Sequence, residues 1–222
     1  MLTRSTPMSI RSDVGTVAGI AVAVLCVAYA AVLAVGLHTL PSPDQPIENP
    51  WFTLMELLIL AIAPAMVAFT VGLHAWAPSE RKALALLGVL FMSMCAVVTC
   101  SVHFAVLSLS RTPSFSNLDG SALVFSFRWP SVVYALDILA WDFFFPLAAL
   151  FAALAVPGAG RARLAKGLLF ASAALAFAGL AGVPLDNMSI RNIGIVGYVV
   201  LFPMASVLLA SVFRSAPGGS AA

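Results

Sequence analysis

Six stretches of unbroken apolar sequence, each long enough to cross a bilayer, decide what this chain can become. They cover approximately residues 14–37, 52–76, 83–109, 129–156, 164–183 and 193–213. A helical span needs about 20 such residues. In hydrocarbon every peptide group must find its partner within the protein, which leaves only helices or a closed barrel. Barrel strands alternate apolar and polar residues over about ten positions, whereas these runs stay apolar for twice that length. The expected fold is therefore an all-α integral membrane protein, with residues 1–222 forming a single bundle of six transmembrane helices. Composition agrees: 9% of residues are charged, against about 25% in a soluble domain.

The breaks between the runs are turn chemistry. Pro41, Pro43 and Pro46 cannot continue a helix. Pro78 to Lys82 is short and polar, and residues 111–128 form the longest connection, with the turn-like Asn117-Leu118-Asp119-Gly120. Pro157-Gly158-Ala159-Gly160-Arg161 and Pro184-Leu185-Asp186-Asn187 supply the last two.

Lysine and arginine set the orientation. With the N-terminus inside, the cytoplasmic segments hold Arg4, Arg11, Arg81, Lys82, Arg161, Arg163, Lys166 and Arg214, and the outer segments hold Arg111, Arg128 and Arg191. Both termini are thus expected in the cytoplasm and the chain in the cell membrane. Outer connections carry Asp44, Glu48, Asp119 and Asp186 instead. Arg4 and Arg11 ahead of an apolar run that passes Ala28-Tyr29-Ala30 also fit a cleaved signal peptide. The run is long for one, and cleavage would leave five spans in the same orientation.

Several function classes fall away. A net charge of +2 without a basic run gives nucleic acid nothing to bind. Cys26, Cys95 and Cys100 sit in apolar stretches without metal-ligand spacing and read as packing residues. No metal and no cofactor is expected. A haem between His38 and His103, or a metal on Glu56, His103 and Asp137, lacks any supporting motif. Gly158-Ala159-Gly160 follows a span rather than a strand and is no nucleotide loop.

What remains informative is the set of ionisable groups inside the spans, because each costs about 2.5–3.5 kcal/mol on insertion scales. These are Glu56, His74, His103, Asp137 and Asp142. At about 1.5 Å per residue, Glu56 lies about 6 Å below the outer end of its span, His103 about 9 Å, Asp137 about 12 Å and Asp142 about 20 Å. Three spans thus place an expensive group at one outer-half level, with His38 at its rim. His74 lies near the cytoplasmic end and reads as interfacial. On the third span Ser93, Cys100, His103 and Ser110 share one helical side, and on the fourth Tyr134, Asp137 and Trp141 do. Asp142 stands about 140° around from Asp137 in an α-helix, so the two carboxylates are expected to point along different lines. Pro64, Pro146 and Pro203 are expected to kink their spans. Trp51, Trp76 and Trp129 belong to interfacial belts, whereas Trp141 lies deep and is a candidate cavity wall.

These residues suggest an enzyme doing carboxyl acid–base chemistry on a lipophilic small molecule, of cyclase, isomerase or hydrolase type. Glu56, His103, Asp137 and Asp142 are its candidate catalytic groups. Tyr134 and Trp141, with Arg128 and Arg191 from the outer connections, are its candidate substrate contacts. Two other readings compete. A proton- or ion-coupled carrier of a small solute needs polar groups continuing to the cytoplasmic side and suits a homo-oligomer. A helper or sensor subunit needs the carboxylates to face outward toward a partner protein. On each reading membrane lipid is the surrounding partner.

Overall fold

The computed structural model describes residues 7–42 and 45–215. Arg4 and Asp44 lie outside the described residues, as does the side chain of Arg11. Within the described residues the regular secondary structure is helix, with no strand. Six helices are long and apolar enough to cross a membrane: α1 (Pro7–His38), α2 (Trp51–Trp76), α3 (Lys82–Leu109), α4 (Val132–Ala155), α5 (Gly160–Leu180) and α6 (Met188–Ser215). Two short helical turns, Pro113–Ser116 and Ala122–Phe125, interrupt the long connection between α3 and α4.

The helices close into a ring in chain order. Each packs on its sequence neighbours, and α1 meets α6. Small residues allow the closest crossings. Gly72 of α2 faces the backbone of Gly15, and Gly19 lies against the Ser206 carbonyl of α6. Ser206 reciprocates by donating its hydroxyl to the Gly19 carbonyl at 2.9 Å.

Two helix starts differ from the sequence expectation. The fourth helix begins at Val132 rather than at 129, because Pro130 precedes it and Ser131 caps it, accepting the Tyr134 N–H on its side chain. The sixth begins at Met188 rather than at 193, with the Asn187 side chain accepting the Ser189 N–H. That second shift moves Arg191 out of a connection and into a helix.

The prolines act in two ways. Pro64 sits inside a continuous α-helix. Pro146 and Pro203 each follow a π-helical turn, Leu139–Phe144 in α4 and Gly197–Leu201 in α6. Proline lacks an N–H and crowds the carbonyl four residues earlier, here Asp142 and Val199. The backbone widens there. Phe145 N–H bonds the Ala140 carbonyl and Phe202 N–H the Gly197 carbonyl, five residues back instead of four.

The core is aromatic from the centre of the bundle toward one end. Phe69, Phe145, Phe202 and Phe213 are all but fully buried, with Phe69 edge-on to Phe202 at 5.7 Å and Phe145 edge-on to Phe202 at 5.2 Å.

Candidate functional site

The opposite end of the bundle is built differently. It gathers the C-terminal end of α3 with the N-terminal ends of α2, α4 and α6, and each contributes ionisable side chains. From α2 comes Glu56, 3% exposed, and from α3 His103, 4% exposed. Helix α4 supplies Asp137 and Asp142, and α6 supplies Arg191, 6% exposed.

These five groups form one chain of contacts. Glu56 Oε2 lies 2.8 Å from His103 Nδ1. The other imidazole nitrogen, Nε2, lies 3.6 Å from Asp137 Oδ1, beyond a good hydrogen bond. Arg191 then donates from Nη2 to Asp137 Oδ2 at 2.8 Å and from Nε to Asp142 Oδ2 at 3.0 Å. Its Nη1 also donates to the Tyr134 hydroxyl at 3.4 Å, and the guanidinium lies over the Tyr134 ring, 4.9 Å from its centre.

The planar fork of arginine suits this task, because it can hold two carboxylates at fixed angles while always charged. Both carboxylates come from α4, five residues apart. In an α-helix they would diverge by about 140°. The structure overturns that expectation, since both accept from Arg191, and the π-helical turn Leu139–Phe144, which begins after Asp137 and contains Asp142, reduces the rotation per residue over part of the interval. Asp142 lies within that turn, and Pro146, four residues on, is the residue that disfavours an α-turn there. Local sequence therefore places two acids on one arginine.

The surroundings are tight. Phe127, from the segment ahead of α4, stacks on the His103 ring at 5.0 Å. Beside it Val102, Val106 and Val133 form a small apolar cluster with Phe52 and Phe125 packed against it. Gly179 of α5 and Gly194 of α6 let their backbones approach Asp142. A Cβ on Gly194 would stand 2.6 Å from Asp142 Oδ1, and one on Gly179 3.1 Å. Asp142 has no exposed surface. Among the described residues two buried polar atoms have no hydrogen-bond partner, His103 Nε2 and Asp142 Oδ1.

Of the sequence candidates, the structure unites Glu56, His103, Asp137, Asp142, Tyr134 and Arg191. It sets others apart. Arg128 is exposed on the connection before α4, and the two aspartates take Arg191 instead. Trp141 is buried with its ring against Tyr198, at 4.9 Å, and Phe145, at 5.8 Å. His38 is exposed at the end of α1. Ser93 and Ser110 bond carbonyls of their own helix, and the buried side of α3 beside His103 carries Thr99, Val102 and Val106. The His74 carbonyl accepts from Lys82 Nζ.

Sequence reading missed two tyrosines. Tyr29 of α1 is within electrostatic reach of Glu56, Asp137 and Arg191, and Tyr198, in the π-helical turn of α6, is within reach of Arg191, Asp142 and Asp137. No grouping of side chains among the described residues has the geometry to hold a metal ion. Comparison with protein-family models, with curated proteins and with solved structures finds no match for this chain.

Proposed function

We propose that the chain is a multi-pass membrane enzyme that performs acid–base chemistry on a small lipophilic molecule. The polar end of its bundle would face the outer leaflet of the cell membrane, with both termini in the cytoplasm. One observation carries this reading: the imidazole of His103 is held by a carboxylate on one nitrogen while its other nitrogen is buried without a hydrogen-bond partner. An imidazole oriented by a carboxylate on one nitrogen and able to exchange a proton through the other is the arrangement that acid–base catalysis requires.

On this reading Glu56 fixes the ring orientation through Nδ1, and Nε2 exchanges a proton with the substrate. Asp137 stabilises positive charge that develops beside Nε2, and Arg191 holds Asp137 in place through Nη2. A cleft of about 220 Å³ lies between α4 and α5, on a side of α4 that none of the five ionisable groups lines. Its walls include Ala135, Leu139, Phe143 and Leu180, with Trp129 at the rim.

The carrier reading finds less support. Beyond the polar end the centre of the bundle is closed by Phe69, Phe145, Phe202 and Phe213. Buried hydroxyls at Thr70 and Ser172 bond backbone carbonyls rather than forming a continuous path. The carboxylates also point inward, against a subunit that presents them to a partner protein.

The test is conversion. Purified protein in nanodiscs, incubated with a lipid extract of the cells that express it, should deplete one lipophilic species and produce another, by mass spectrometry. The His103→Gln protein, equally monodisperse, should do neither. Identical profiles for both proteins would remove the enzymatic reading.

A further inference from the structure

The buried contact chain is also a sequence of charges. Its order is Glu56, His103, Asp137, Arg191, Asp142. Three carboxylates against one guanidinium leave two negative charges, so two protons shared among Glu56, His103, Asp137 and Asp142 make the cluster neutral. Burying uncompensated charge costs several kcal/mol per ion, which favours the neutral count.

The first proton belongs on His103, whose two nitrogens each face a carboxylate oxygen, Glu56 Oε2 and Asp137 Oδ1. Charge then alternates from Glu56 through His103 and Asp137 to Arg191, and the second proton falls to an end of the chain, Glu56 or Asp142. Packing distinguishes the ends. Glu56 Oε2 is paired with an imidazole nitrogen. Asp142 Oδ1 has no partner among the described residues and lies in a notch formed by Gly179 and Gly194. A buried anionic oxygen without a donor is the more costly state. A proton on Oδ1 relieves it, while Oδ2 keeps its bond from Arg191 Nε at 3.0 Å. The other titratable groups facing the cluster are Tyr29, Cys95, Tyr134 and Tyr198, from α1, α3, α4 and α6. None of them supplies a second cation.

We infer that the bundle stores a proton on Asp142 Oδ1, which makes Asp142 the resident neutral acid at the end of an otherwise ionised chain. This goes beyond the enzymatic reading and does not rest on it, since the charge count and the notch hold whether or not the centre turns over a substrate.

Infrared spectroscopy of the protein in lipid nanodiscs tests the assignment. The resting protein should show the carbonyl band of a protonated, buried carboxylic acid. That band should shift when aspartate carboxyls carry carbon-13 and stay when glutamate carboxyls do. It should vanish in Asp142→Asn and survive in Glu56→Gln. If Asp142→Asn does not fold, the two labelled wild-type samples still separate the ends. Absence of the band, a band that follows the glutamate label, or one that persists in Asp142→Asn overturns the inference.

Discussion

The two ends of this bundle solve the same packing problem with opposite chemistry. At one end four helices meet through ion pairs centred on Arg191. From the centre of the bundle toward the other end, helices α2, α4 and α6 meet through interlocked phenylalanine rings. Ring packing is tolerant, because an aromatic side chain can be replaced by another apolar group at the cost of a cavity. The polar end is not, because each partner there leaves a buried charge behind when it is removed. Ionisable groups buried inside spans are expensive, and the proposed acid–base reading rests on this end of the bundle.

The comparison can be broken by mutation. Arg191→Leu strands Asp137 and Asp142 together and should destabilise the protein by about 3–5 kcal/mol, seen as loss of monodisperse protein and a large fall in melting temperature. Adding Asp137→Leu and Asp142→Leu should restore much of that loss, since the stranded Asp137 charge and the stranded Asp142 carboxyl go with them. Gly194→Ala comes next. Alanine is ordinarily the better helix residue by about 1 kcal/mol, yet here its methyl meets Asp142 Oδ1 and should cost about 1–3 kcal/mol. In an Asp142→Ala background that cost should largely disappear, a coupling that a double-mutant cycle measures. The smallest effect belongs to the aromatic end, where Phe202→Leu should cost about 1–1.5 kcal/mol and leave chemistry at the other end unchanged. A Phe202→Leu protein as damaged as Arg191→Leu would erase the distinction between the ends.

Much of this was legible in the residues. Continuous apolar runs located all six spans, and counting down from the span ends brought Glu56, His103 and Asp137 to one level. Two things were hidden. Arg191 and Asn192 lower the apolar count at the start of the last run, so hydropathy placed them in a connection, although Asn187 is a fitting cap for the helix that holds them. The meeting of Asp137 and Asp142 was hidden by assuming α-helical spacing, while Pro146 four residues after Asp142 was the local sign that the spacing changes. Tyr29 and Tyr198 could not be found from spacing at all, because their place depends on how helices α1 and α6 rotate within the ring. The surroundings of Trp141 were hidden for a related reason: its ring packs on Tyr198, a neighbour on another helix.

The central claim is that one arginine on α6 grips two aspartates on α4 across a π-helical turn. Solid-state NMR of protein in bilayers, with nitrogen-15 on arginine side chains and carbon-13 on aspartate carboxyls, measures this directly. The Arg191 resonances should show two carboxyl carbons at ion-pair range, and Asp137→Asn and Asp142→Asn should each perturb a different one of the two contacts. An Arg191 side chain coupled to only one aspartate carboxyl, or to none, would contradict the account.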